Sequence, residues 1–262
     1  NSQLRKDYKI VMSVDIAEGL GLDYSVINIF KITTKPLSLI KSQKAQYKGL
    51  VDFIRLEQIG IYRCNIISVP DLAEILYLLS FEHFNSDNVK IVLEVNTYGN
   101  ELLAHLPNVF GGNNEYGSSV FYRFKHRVDA LEEKIGLKVG ENKNLLVKEY
   151  QDKMEERSII ITNDINISEM TTFIKHTTAA GNVRYAADGS SHDDTVMTIV
   201  NITSIFGKND FKGLVEEIID SMNDTQIKNI IDEVLKRTEL TEGVDYTQVL
   251  DIRKRHLSSN RR

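Results

Sequence analysis

A single cysteine, Cys64, in 262 residues leaves no partner for an intrachain disulfide. Stability therefore has to come from a hydrophobic core in a reduced, intracellular setting. Cys64 itself, in the apolar-leaning stretch IYRCNIIS, is expected in that core. No uninterrupted apolar run approaches the roughly 18 residues of a membrane span, and no charged leader followed by an apolar segment opens the chain. Internal repeats and low-complexity tracts are also missing. Nor is there an excess of positive charge: the formal net charge is -5. That excludes a protein that coats nucleic acid by charge alone, while leaving room for a local basic stripe beside acidic groups. What is present, 42% hydrophobic and 26% charged residues, is the balance of a globular chain with a substantial core.

The pattern along the chain is mixed. Residues 9–16 (KIVMSVDI) and 24–32 (YSVINIFKI) are rich in Val, Ile and Phe around a glycine-containing turn, which predicts a hairpin. Residues 33–56, with Pro36 and Lys41, Lys44 and Lys48, read as an insertion before a strand at 58–67. Ser68, Pro70 and Asp71 suit the start of a helix. A strand at 89–95 follows, then a helix beginning at Asn100–Leu106. Gly111, Gly112, Asn113, Asn114 and Gly117 mark a loop. VFYRF at 120–124 is a candidate strand, 144–156 an amphipathic helix, 157–162 a strand and 166–178 another helix. NVRYAAD at 182–188 is a short strand or extended loop before a helix near His192. Strands in succession, then strands alternating with helices, predict an α/β domain with a mixed sheet. Beyond Gly207 the sequence turns helical and charged and ends in Arg253, Lys254, Arg255, Arg261 and Arg262. The expected division is a domain at 1–207 and a helical appendage with a basic tail at 208–262.

Three acidic positions, one of them a pair, stand out in this pattern. Asp15 and Glu94 each close an apolar run that reads as a buried strand, and Asp193-Asp194 open one that reads as a helix. An acid at a strand end against a core costs free energy unless it is hydrogen-bonded, paired or bound to a cation. Taken singly, they have plain explanations: Asp15 as a turn former, Glu94 as a solvated strand end, Asp193 as a helix cap. Taken together, three acids from distant parts of the chain suggest one shared metal site. Two or three carboxylates on rigid elements suffice for Mg²⁺, which keeps several waters and needs no His or Cys. Such a site suits phosphodiester cleavage, where two ions about 3.5–4 Å apart activate a water and stabilise the leaving oxygen.

Three segments carry these acids: Asp-x-x-x-Gly-x-Gly-x-Asp-Tyr-Ser (Asp15, Gly19, Gly21, Asp23, Tyr24, Ser25), Glu-x-Asn-x-x-Gly (Glu94, Asn96, Gly99) and His-Asp-Asp-x-Val-Met (His192, Asp193, Asp194, Val196, Met197). A softer fourth is Gly136, Lys138, Asn142 and Lys143 before an amphipathic helix. In this order they resemble the nuclease domain of the large terminase subunit of tailed bacteriophages, over roughly residues 9–206. Each motif alone is weak; the ordered set is specific.

The resemblance implies an RNase H-like mixed sheet flanked by helices and a metal-dependent endodeoxyribonuclease. Its action would be to cut concatemeric double-stranded viral DNA during packaging with little sequence preference, using Mg²⁺ or Mn²⁺, two ions in all. Asp15, Glu94 and Asp194 would be the catalytic metal ligands. Asp193 would be an auxiliary ligand or a cap, Asp23 would hold the loop or a water beside the metal, and His192 would orient a phosphate or a water. It also implies double-stranded DNA, the portal and the small terminase subunit as partners, and the host cytoplasm as the location, with no membrane.

Terminases carry an ATPase motor, yet this chain has no Gly-x-x-x-x-Gly-Lys-Ser/Thr loop. With Asn rather than Met at position 1, it is expected to be the nuclease portion of a longer motor protein. Arg123 and Lys125 on one face of a strand, Arg127 after them, Lys138 and Lys143 around a loop, and Arg184 before the third motif are candidate phosphate contacts, with a solvated charged surface as the plainer alternative. Tyr122 and Phe124 between them read as core. Two other functions fit the same residues: a junction-resolving nuclease of the same superfamily, and a noncatalytic binding module in which the acids only shape the fold.

Overall fold

The computed structural model describes residues 7–36, 39, 50–109, 119–127, 130–140, 142–177, 181, 183–189 and 191–222. A five-stranded mixed sheet organises them, built from β1 (Ile10–Asp15), β2 (Ser25–Thr34), β3 (Ile54–Cys64), β4 (Val89–Leu93) and β7 (Ile159–Ile160), in the order β4-β1-β2-β3-β7. β1 pairs antiparallel with β2 and parallel with β4. Between β4 and β7 the chain forms a two-stranded ladder of β5 (Arg123–Phe124) and β6 (Lys134–Ile135). A second hairpin joins β8 (Phe173–Thr177) to β9 (Val183–Ala187). Among the described residues, six α-helices accompany the sheet: α1 (Val69–Tyr77), α2 (Thr97–Val109), α3 (Lys143–Glu155), α4 (Asp164–Thr172), α5 (Asp194–Ile202) and α6 (Asn209–Asp220). Among the described residues, no helix is long and apolar enough to cross a membrane.

Alternation along the strands splits the core in two. Ile10, Met12 and Val14 of β1, Ile27 and Ile29 of β2, and Ile91 and Leu93 of β4 pack under α1 and α2 with Leu72, Leu76, Leu102 and Leu106. Val11, Phe30, Ile32 and Val92 point the other way, onto Val196, Ile199 and Val200 of α5 and the apolar stripe of α3. Ser13, Asp15 and Glu94 follow Val11 and Val92 in the two-residue period and so share the α5 face.

The hairpin is as expected, and Ser68 caps α1 by accepting from the Asp71 N–H. Other boundaries differ. β3 begins at Ile54, so the irregular segment is shorter than 33–56; of it, 37–38 and 40–49 lie outside the described residues, as does the glycine loop at 111–117. α2 starts at Thr97, ahead of Asn100. VFYRF contributes only Arg123–Phe124 to a strand plus a single bridge from Phe121 to Ile91, and 157–162 contributes only Ile159–Ile160. The expected helix at 166–178 ends at Thr172 and becomes β8. FIKHT holds β-branched and aromatic residues, and its pairing with β9, with Phe173 stacked on Tyr185, overrides the helical reading. Cys64 is half-buried at the end of β3 rather than in the core.

Past Gly207, α6 buries Phe211, Leu214, Val215 and Ile219 in the same cluster as Phe53 and Phe206. Residues 209–220 therefore cover the core, and 223–262 lie outside the described residues.

Candidate active site

Asp15 is the last residue of β1, and the Glu94 N–H donates to the Val14 carbonyl at 2.9 Å. The two acids thus stand side by side on adjacent parallel strands, on the face covered by α5. Beyond β4, Glu94 bridges to Leu137, which sets that loop against the sheet rim. Asp194 is the first residue of α5. Seven positions later, two turns along the same stripe, Asn201 donates from Nδ2 to Glu94 Oε2 at 2.7 Å. Asp194 Oδ2 in turn accepts the Tyr24 N–H at 3.1 Å. A cleft of about 330 Å³ opens here, lined by Asp15, Glu18, Asp23, Tyr24, Asn96 and Asp194 among others.

The motif residues around the acids have local jobs. Asn96 Oδ1 accepts the Gly99 N–H at 3.0 Å and tightens the start of α2. A Cβ on Gly99 would lie 2.0 Å from the Glu94 carbonyl oxygen, so only glycine lets the helix begin this close to the acid. Ser25 Oγ accepts the Ala17 N–H at 3.1 Å, closing the loop that follows Asp15. Within that loop Gly19 has φ +78° and sits where a Cβ would strike the Ile67 carbonyl at 2.5 Å.

Charge is concentrated at this rim. Burial, then the charges of Glu94 and Asp194, hold the Asp15 carboxyl well above its ordinary pKa. Burial likewise raises Glu94, against the opposing help of Asn201 and Lys143. Asp194 is pushed up to about 6, mainly by burial, with the Tyr24 N–H opposing and Asp23, Glu169 and Asp193 adding repulsion. Crowded, desolvated carboxylates of this kind resist full ionisation unless a cation joins them. The donors are oxygens, which matches hard divalent ions such as Mg²⁺ or Mn²⁺. The residues present therefore fit a divalent metal centre.

Asp193 occupies the position before α5 but makes no capping hydrogen bond with its side chain. It faces Lys143 instead, Oδ2 to Nζ 3.6 Å, so Lys143, the first residue of α3, belongs to the acidic rim. His192 Nδ1 lies 3.7 Å from Asp194 Oδ2 and 4.0 Å from Asp23 Oδ1. Ligand atoms of Asp23, His192 and Asp194 all fall within 4.8 Å of one another. The His192 ring meets the Tyr24 ring edge-on, 5.1 Å between centroids.

The other basic candidates are spread out. Arg123 of β5 and Lys125 just after it are exposed, with buried Phe124 between them and buried Tyr122 before. Arg123 Nη1 reaches the Glu133 carbonyl at 3.5 Å. Lys138 is exposed next to Leu137, the bridge partner of Glu94. Arg184 is exposed on β9, opposite His176.

The sequence reading missed Asn201, although a polar residue seven positions after Asp194 in the apolar run VMTIVNIT was a usable signal. It also missed a buried polar web beneath α5. Asn28 and Asn166 both donate to the Thr195 carbonyl at 3.2 Å, and Gln58 Nε2 donates to Asn28 at 2.6 Å and to Asn166 at 2.7 Å. Four distant segments meet there, and nothing local announces it.

No protein-family model matches the chain, and no curated protein matches it. Solved structures do. The large terminase nuclease from thermophilic phage G20c aligns with a TM-score of 0.52 and 20% identity, over 76% of this chain and 82% of that one, in structures with bound cobalt and with bound magnesium. The Thermus phage P74-26 large terminase nuclease domain aligns with a TM-score of 0.50 and 21% identity, over 78% of this chain and 84% of that one. The mixed sheet that carries Asp15, Glu94 and the α5 acids thus has the α/β, RNase H-like fold of the phage large terminase nucleases.

Proposed function

We propose that this chain is a metal-dependent endonuclease that cuts concatemeric double-stranded viral DNA during genome packaging, with little sequence preference. The observation that carries the reading is the convergence of Asp15, Glu94 and Asp194, from β1, β4 and the start of α5, on one desolvated rim of the sheet. The fold shared with nucleases seen with bound magnesium and cobalt supports it.

In this reading Asp15, Glu94 and Asp194 hold the metal, two Mg²⁺ or Mn²⁺ ions, which when bound supply an activated water and charge stabilisation for the leaving oxygen. Asn201 fixes the Glu94 carboxylate, and the Tyr24 N–H fixes that of Asp194. Asp193, held by Lys143, lies ready as an auxiliary ligand, while Asp23 and His192 orient a water or phosphate at the outer edge. Arg123, Lys125, Lys138, Lys143 and Arg184 contact phosphates without reading bases. Residues 1–207 carry the chemistry; those from 208 onward, beyond the covering role of α6, dock another packaging component or steer DNA through the basic tail. Portal and small terminase subunit would be met through a longer motor protein, in the host cytoplasm.

Plasmid cleavage with Mg²⁺ or Mn²⁺, with and without chelator, tests this. Asp15→Asn and Glu94→Gln remove charge at nearly constant volume and should abolish cutting while the protein stays folded. Equal cutting by either purified variant would sink the assignment. Preference for a four-way junction over linear duplex would instead indicate a junction-resolving enzyme, and no metal-dependent cutting at all a binding module.

A further inference from the structure

Glu169 is a buried carboxylate that the proposed chemistry leaves without a task. It sits on α4, its side chain 9% exposed, and both its oxygens are occupied. Oε2 accepts from the Thr195 N–H at 2.9 Å and from the Thr195 hydroxyl at 2.6 Å. Oε1 accepts from Arg63 Nη2 at 2.9 Å. Thr195 is the second residue of α5, so its N–H is one of the helix-start donors without an intrahelical acceptor. A local side chain at Asp193 would ordinarily satisfy it, yet Asp193 makes no such bond. The cap comes from another helix instead.

The second link starts at Arg63. Its guanidinium lies over the Tyr24 ring, 3.2 Å from the centroid, and the Tyr24 N–H donates to Asp194 Oδ2. Asp194 is therefore held twice: through the backbone of its neighbour Thr195, which Glu169 fixes, and through its own carboxylate, which Tyr24 fixes. The Arg63–Glu169 ion pair closes these two links into one ring. A β-bulge makes the ring possible. The register of β2 and β3 shifts between Ile29 and Phe30, so Gln58 pairs with Phe30 and Arg63 with Val26. Residues an odd number apart, which would point to opposite faces of a regular strand, thus both face α5.

We propose that Glu169 and Arg63 form a clamp that sets the position of the Asp194 carboxylate for metal binding. They are positioning residues for the site and rest on the metal-site reading above. Glu169→Gln keeps the volume and can still accept from Thr195, but loses the ion pair. Arg63→Lys keeps the charge but loses the planar face that stacks on Tyr24. The full chain and both variants are compared for Mn²⁺ affinity by calorimetry, and for amide hydrogen exchange at Tyr24 and Thr195 without metal.

Glu169→Gln should weaken Mn²⁺ binding about 10–100-fold and speed exchange at Tyr24, a residue it does not touch; Arg63→Lys should move both in the same direction by less. A local cap would leave Tyr24 unmoved. Wild-type affinity and wild-type Tyr24 exchange in either folded variant overturn the clamp, and so does faster exchange confined to Thr195. DNA cutting decides the other question: a wild type that binds Mn²⁺ but never cuts overturns the nuclease reading, while exchange and affinity still decide the clamp.

Discussion

Beneath α1 and α2 the strands β4, β1 and β2 present Ile10, Met12, Val14, Ile27, Ile29, Ile91 and Leu93, all apolar. Beneath α5 the sheet presents Val11, Phe30 and Val92, but also Ser13, Asp15, Asn28, Gln58 of β3 and, just past β4, Glu94. One face is packed for stability alone. The other spends part of its burial on polar groups, most of them hydrogen-bonded, around the acids, at a cost in stability that the apolar face has to offset.

Four measurements break or sharpen that contrast. The largest stability effect is expected on the apolar face: Leu76→Ala, fully buried there, should cost about 2–5 kcal/mol in urea unfolding. Its cleavage rate per folded molecule should match wild type; a catalytic loss at full stability would mean that the two faces are coupled. On the polar face, Asn166→Ala removes one donor to the Thr195 carbonyl and one acceptor for Gln58. It should cost about 1–3 kcal/mol and also raise the Mn²⁺ concentration needed for half-maximal cutting. A stability loss with unchanged metal demand would make the web purely structural.

The third concerns the acids. Asp194 has its pKa raised from 3.8 to about 6, so between these values the metal-free folded state binds more protons than the unfolded one. Its stability should therefore fall as pH rises from about 4 through about 6. Asp194→Asn should remove this part of the slope and stabilise the metal-free protein at pH 8 by roughly 0.5–2 kcal/mol. Thermal melts across pH with chelator check it, and an Asn variant less stable than wild type at pH 8 refutes the crowding argument.

The smallest effect is expected from the end of the chain. Truncation after Met222 keeps α6 over the core and removes only the tail, so cutting should persist and weaken mainly at higher salt. Truncation after Gly207 would instead strip Phe211, Leu214 and Val215 from the core and report on folding.

Sequence alone determined the elements whose signals are local. Alternating Val and Ile runs marked β1, β2 and β4, Ser68 and Pro70 marked the start of α1, and apolar strands closing on Asp15 and Glu94 marked the rim. The glycine-spaced motifs were legible because close backbone approaches leave a mark at single positions: Gly99 against the Glu94 carbonyl, Gly19 against that of Ile67. Only the tertiary structure decided what depends on partners far along the chain. FIKHT became a strand because β9 was there to pair with it. Asp193 gave up its capping role because Glu169 reached Thr195 from another helix, and Arg63 came to face α5 because of a bulge. A hydrogen bond across more than a hundred residues, such as Asn201 to Glu94, follows from the packing of α5 on the sheet, and no local pattern encodes it.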